Sequence, residues 1–181
     1  MRRIYSALML LIGISLLYSC SNTDTNNNES GRPYLNKVEQ QADGSIKLYV
    51  KKAECYSDKV NPSSNTAEWN VFVSKSGRFN VWLSSATIDT TNLEYKNKVM
   101  FSVQDNRLEA QPAIDKVIIN SSDVDYPYFR ADSFMGSLYI QDTGLYAVQI
   151  ISDKIIPENN TDASANEKTR LLSVFLTPVV R

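Results

Sequence analysis

Any chemistry in this chain proceeds without an imidazole. No histidine occurs among its 181 residues. That removes Ser-His-Asp and Cys-His triads, imidazole general bases and His-containing zinc or iron sites in one step. Carboxylates, lysines and tyrosines remain. Glu158, Asp162 and Glu167 form no spacing that reads as a glycosidase pair, which needs two carboxyl groups held about 5–10 Å apart. Cys55, in Ala-Glu-Cys-Tyr, reads as a small buried apolar residue rather than a nucleophile. The chain is expected not to be an enzyme.

Cys20 carries a different chemistry. Arg2 and Arg3 open the chain, Ile4 to Tyr18 is mostly apolar, and the run closes at Leu17-Tyr18-Ser19-Cys20. A small residue before a cysteine at that place is the pattern of a bacterial lipoprotein signal, residues 1–20, with Cys20 the lipidated residue. The alternative is an ordinary cleaved signal in which Cys20 is incidental. Acyl chains gain about 0.8 kcal/mol per buried methylene, so a lipidated Cys20 predicts a protein anchored to the outer membrane, on its surface or periplasmic side, without spanning it. Residues 21–33 hold almost no large apolar side chain and read as a flexible tether. Residues 34–181 fit one domain, large enough for a core without disulfides. With Cys20 set aside, Cys55 is the other of two cysteines, so no intrachain bridge is expected. The 19 basic and 20 acidic residues give no basic stripe, and nucleic acid is not expected as a partner.

The elements that must position any site are strands. Trp69 to Ser84 alternates on both sides of Lys75-Ser76-Gly77, with Val71 and Val73 on one face before the turn and Phe79, Val81 and Leu83 on one after it. Gly136 to Ser152 repeats the design around Asp142-Thr143-Gly144. Period-two alternation marks half-buried strands, and a glycine supplies the positive φ of a short connection. Both stretches are expected to be β-hairpins forming facing parts of one sandwich. Further strands are expected at Ile46–Val50, Lys98–Gln104, Arg107–Gln111, Ile114–Ile119 and Leu171–Val180, with extended chain at Tyr128–Asp132. Pro178 is expected to place the end of the last strand at an edge. Tyr34 to Gln41 is left ambiguous. Ser85–Asn97, Asn120–Pro127 and the long polar stretch after Ile156-Pro157 read as loops. The fold class is all-β. Trp69 and Trp82 both lie within strands and are expected to pack.

The runs E-W-N-V-F-V-S-K-S-G-R-F-N-V-W-L and Y-F-R-A-D-S-F-M-G-S-L-Y-I-Q-D-T-G-L-Y-A-V-Q-I, with the closing L-L-S-V-F-L-T-P-V, resemble family-six carbohydrate-binding modules. They are similar also to the accessory domains of bacterial fucosidases and sulfatases. The resemblance covers about residues 46–180. It implies an antiparallel β-sandwich of jelly-roll, galactose-binding-domain-like type that binds glycan on loops at one end. Such modules often hold a structural calcium near the first strand on an acidic Ala-Glu pair. Ala53-Glu54 matches in part, the closing strand lacks the usual carboxylate, and calcium wants roughly six to eight oxygen ligands, so no cofactor is expected.

A sugar needs an aromatic plate for its C–H face and planar polar groups for its hydroxyls. On the resemblance, the first loop offers Tyr56 and Asn65, the second Tyr126, Tyr128 and Arg130, and the third Asn159, Asn160, Asn166 and Lys168. Tyr126 and Tyr128 flank Pro127 in a loop, a setting open to ligand contact and to packing alike. The asparagine run also reads as a solvated loop. The expected function is glycan binding without catalysis, with an affinity of about −4 to −8 kcal/mol. The rival expectation is a structural subunit of an envelope complex, with the Asp153–Lys168 stretch as its interface.

Overall fold

The computed structural model describes residues 36–58, 60–156 and 167–180. The signal and tether stretches, Cys20, Asn159, Asn160 and Asn166 lie outside the described residues.

The strands are β1 (Lys37–Glu39), β2 (Ile46–Tyr49), β3 (Glu54–Tyr56), β4 (Thr66–Val73), β5 (Gly77–Thr87), β6 (Val99–Val103), β7 (Asn106–Ala110), β8 (Lys116–Ile118), β9 (Phe129–Ile140), β10 (Gly144–Ile151) and β11 (Thr169–Pro178). They form two sheets. The first has the order β1-β4-β10-β6-β7, with β3 also paired to β4; the second runs β2-β11-β5-β9-β8. The architecture is an all-β sandwich. Every pairing is antiparallel except β1 with β4, which is parallel.

The two glycine-turn stretches are not hairpins. β4 and β5 belong to different sheets, and so do β9 and β10. Each stretch is an arch that carries the chain across the sandwich. The arms pair between arches instead: β4 lies against β10, and β5 against β9. Gly144 stands opposite Val73, and Gly77 opposite Ile140, so the arches are matched. Gly77 and Gly144 take φ of 151° and 147°, which a side chain rarely adopts. Alternation decides which face of a strand is buried, but a hairpin and an arch satisfy it equally. Alternation therefore locates the arms of both arches but not how they pair.

The inner faces match the expected pattern. Val71, Val73, Phe79, Val81, Leu83, Val99, Phe101 and Val103 are all buried. Trp69 is buried too, and its indole N–H donates to the Tyr49 carbonyl at 3.1 Å. Pro178 ends β11, an inner strand between β2 and β5, at a point paired with Phe79 of β5 and beyond the Ser173–Leu176 stretch that pairs with β2. The far half of β5, Ser84 to Thr87, extends into the expected loop and is fully buried. Its hydroxyls have partners there: Ser85 meets the Tyr95 hydroxyl at 2.8 Å and Thr87 meets Thr169 at 2.9 Å. Burial raises the Tyr95 phenol well above its ordinary pKa, against the opposing hydrogen bond from Ser85. The buried hydroxyls of Ser84, Ser85 and Thr87 are tolerated because each finds a hydrogen bond.

Candidate functional site

β5 turns Phe79, Val81 and Leu83 inward, so Asn80, Trp82 and Ser84 take its outer face. Trp82 is only half-buried. Its neighbours in register are Phe175 on β11 and, across a register shift, Phe134 on β9. The shift between Val81 and Trp82 leaves Met135 as the extra residue, next to Gly136 at φ 126°. A bulge of this kind re-aims side chains. Here it keeps Met135 inward and brings Phe134 beside Trp82, with ring centroids 5.0 Å apart and planes tilted by 52°. Phe134 is 44% exposed. An aromatic row thus crosses three neighbouring strands on the solvent side of the second sheet.

Cations border the row. Lys116 Nζ lies 4.7 Å from the Trp82 ring, and Lys47 Nζ lies 4.8 Å from Phe175 and 4.6 Å from Tyr49. The Arg130 guanidinium sits 4.8 Å from the Phe175 ring. Arg130 Nε and Nη2 donate to the two oxygens of Asp132 at 2.8 and 2.9 Å, while Nη1 donates to Asp123 at 2.9 Å. Desolvation works against its charged form, but the hydrogen bonds and charge of Asp132, then those of Asp123, outweigh it and raise the Arg130 pKa. Ser84 donates to Asp132 from the neighbouring strand. Fork-to-carboxylate pairing of this kind fixes the guanidinium plane. The surface is a cleft of about 390 Å³, lined by Trp82, Phe175, Lys47, Lys116, Arg130 and Asp132 together with the Gln41–Ser45 turn.

A second cleft of about 540 Å³ opens at the loop end, lined among others by Tyr49, Lys51, Asp123, Arg170 and Leu172. The two adjoin. Asp123 lines the larger one and holds Arg130 and Lys47 (3.6 Å) of the smaller.

The sequence-derived residues fall in several places. Tyr126 is 95% exposed. Tyr128 is half-buried, with its hydroxyl donating to the Glu167 carbonyl at 2.9 Å and Arg170 5.0 Å over its ring. Arg130 stands on the sheet face rather than on a loop. Tyr56 ends β3 on the other sheet, and its hydrogen bond to Glu54 raises its pKa. Asn65 is a buried strut: its amide donates to the Ile155 carbonyl at 3.0 Å and its oxygen accepts from the Asp58 amide at 2.9 Å. Lys168 pairs with Glu94 at 3.3 Å. The structure therefore brings Tyr128 to Glu167, sets Arg130 on the outer face of β9 and puts Tyr56 on the other sheet.

Sequence reasoning assigned Trp82 to packing and overlooked Phe134, Phe175, Lys47 and Lys116. The signal was available: Trp82 falls on the polar phase of an alternating strand. It also overlooked an acid pair, since Glu54 and Glu68 stand directly opposite across β3 and β4. Glu68 accepts from the Gln149 amide at 2.6 Å. Among the described residues no three His, Cys, Asp or Glu side chains come together as a group that could hold a metal ion.

No family model matches the sequence, and no curated protein matches it. Solved structures do resemble the fold. An alpha-L-fucosidase from Vibrio sp. strain EJY3 aligns with a TM-score of 0.62 at 20% identity, over 79% of this chain and 24% of that one. The likeness is in the sandwich. A GH26-CBM35 beta-(1,4)-mannanase of Podospora anserina (TM-score 0.46, 11% identity) aligns over 77% of this chain and 28% of its own. The insecticidal crystal protein Cry2Aa (0.45, 12%) aligns over 78% and 22%. In each case the chain spans about a quarter of the other protein's length.

Proposed function

We propose that this protein is a non-catalytic carbohydrate-binding module, anchored to the outer membrane through a lipid on Cys20, that takes a glycan on the outer face of its second sheet. The observation that carries this reading is the half-exposed Trp82 between Phe134 and Phe175. Large aromatic rings left at the surface in a row, beside oriented polar groups, provide the two kinds of contact that a sugar requires. Arg130, locked by Asp132 with Ser84 buried behind it, sets a guanidinium of fixed orientation at the edge of the row. The sandwich shared with part of a fucosidase supports the same reading, as does the sequence resemblance to carbohydrate-binding modules.

Calorimetric titration of the full chain against a panel of oligosaccharides tests it. One glycan class binds with a dissociation constant in the millimolar-to-micromolar range, about −4 to −8 kcal/mol, and Trp82→Ala removes the signal. A panel that stays blank at millimolar sugar refutes the reading. The envelope-subunit reading has one observation in its favour: Leu145 and Phe72, cross-strand neighbours on the first sheet, are both exposed. Recovery of a stable partner from native membranes, lost on Leu145→Ser, would establish it instead.

A further inference from the structure

We infer that the glycan taken by the Trp82 face is anionic, bearing carboxylate or sulfate groups. This inference rests on the glycan-binding reading above and specifies its substrate class. The chain as a whole carries a formal charge of −1, yet Lys47, Lys116 and Arg130 line this cleft and Lys51 and Arg170 the adjoining one. Lys47, Lys51 and Lys52 all place Nζ within 6.0 Å of the Tyr49 ring, and Lys116 covers Trp82 from the far strand.

Of the carboxylates nearby, two are ion-paired and two are hydrogen-bonded to neutral groups. Asp132 and Asp123 are taken by Arg130, with Lys47 also on Asp123. Asp115 accepts the Phe134 amide at 2.6 Å, and Asp43 accepts the Ser45 amide and hydroxyl at 2.9 and 2.7 Å. Among the described residues, Lys51, Lys52, Lys116 and Arg170 have no carboxylate partner within ion-pair distance. Arg170, which lines the adjoining cleft, also has its Nε buried without a hydrogen bond.

An ammonium group held beside an aromatic plate is placed to meet an acidic substituent while the ring meets the sugar's C–H face. A neutral sugar makes no ion pair with Lys51, Lys52, Lys116 or Arg170. An acidic one uses them. The polar network therefore does two jobs: the Asp-bound Arg130 fixes the surface, and the unpaired lysines select the charge.

The test is affinity electrophoresis and calorimetry of the full chain with three polysaccharides: polygalacturonate for carboxylate, carrageenan for sulfate, and neutral galactomannan. Polyglutamate serves as a polyanion without sugar. At low salt, polygalacturonate or carrageenan is expected to bind at least about tenfold more tightly than galactomannan, and the advantage is expected to disappear by about 0.5 M salt as charges are screened. Whichever of the two binds identifies the substituent. Lys116→Gln and Lys51→Gln, both at exposed positions, each lower the affinity and flatten its salt dependence. Trp82→Ala abolishes binding to the acidic polysaccharide. Equal or tighter, salt-insensitive binding of galactomannan overturns the charge assignment and leaves glycan binding standing. Polyglutamate binding as tightly as the polysaccharides, with Trp82→Ala unaffected, overturns it as simple ion exchange. No binding to any polysaccharide overturns both the inference and the function on which it rests.

Discussion

On the outer face of the first sheet, Glu54, Glu68, Gln149 and Ser102 lie side by side in register, with a cleft of about 270 Å³ over them. On the outer face of the second, the corresponding row is Lys47, Phe175, Trp82 and Phe134. Both faces are built on the arms of the same two arches, and their inner sides are alike in being apolar and closed. Packing across the sandwich constrains the inner faces to complement each other at near-crystalline density. Nothing in the packing constrains the outer ones. One carries acids and amides with few aromatic rings; the other carries an aromatic row rimmed by cations. The difference marks where the fold ends and the proposed binding surface begins.

The two tryptophans sharpen that comparison. Trp69, inside the first sheet, is buried and hydrogen-bonded, so Trp69→Ala is expected to cost about 3–5 kcal/mol of stability in chemical denaturation. Trp82 loses only its outer contacts, and Trp82→Ala should cost about 1 kcal/mol through the Phe134 pair while removing glycan binding. Equal destabilisation by the two would erase the distinction between core and surface.

Next in size is the network that holds the second face. The side chains of Arg130 and Asp132 are 17% and 10% exposed. Arg130→Met strands a largely buried carboxylate and is expected to cost about 3 kcal/mol in a denaturant titration. The pair Glu68–Gln149 on the first face has no such partner charge, and Gln149→Leu should cost about 1 kcal/mol.

The arches themselves predict a matched loss. An alanine at Gly77 or Gly144 meets no neighbouring atom within 4 Å, so its cost is the backbone conformation alone, about 1–3 kcal/mol at either site. Closely similar shifts in Tm for the two variants support matched arches; a loss at one glycine only breaks the match.

The smallest effect is in pH. Hydrogen bonds from the Ser45 amide and hydroxyl lower the Asp43 pKa below its ordinary 3.8. A carboxylate whose folded pKa is depressed contributes fully above the unfolded value, and that contribution is lost as pH falls through the folded one. The Ser45 amide resonance, at the edge of the aromatic cleft, should therefore titrate with a midpoint below 3.8. A midpoint at or above that value contradicts the turn geometry.

The sandwich was legible in the sequence because alternation reports burial directly. Val71, Val73, Phe79, Val81 and Leu83 were readable as a core for that reason. Pairing was not legible, since a three-residue connection with a positive-φ glycine serves an arch as well as a hairpin. Ser85 to Thr87 looked like loop because hydroxyls signal solvent unless their partners are known, and those partners are Tyr95, inside the same apparent loop, and Thr169, far along the chain. β1 was missed because it pairs in parallel with a strand far along the chain. The aromatic row was missed because Trp82, Phe134 and Phe175 come from three separate strands and meet only once register, and one bulge, are fixed.

Fluorescence offers the most direct test of whether ligand sits on the second outer face, since the chain holds two tryptophans, one in the core and one on that face. Titration of the full chain with its best-binding polysaccharide should change the emission saturably. In Trp82→Phe the residual Trp69 signal should stay flat while affinity falls about tenfold, or roughly 1.4 kcal/mol. A glycan that binds unchanged to Trp82→Phe, but is lost on Tyr126→Ala, would place the site on the loops and contradict the account.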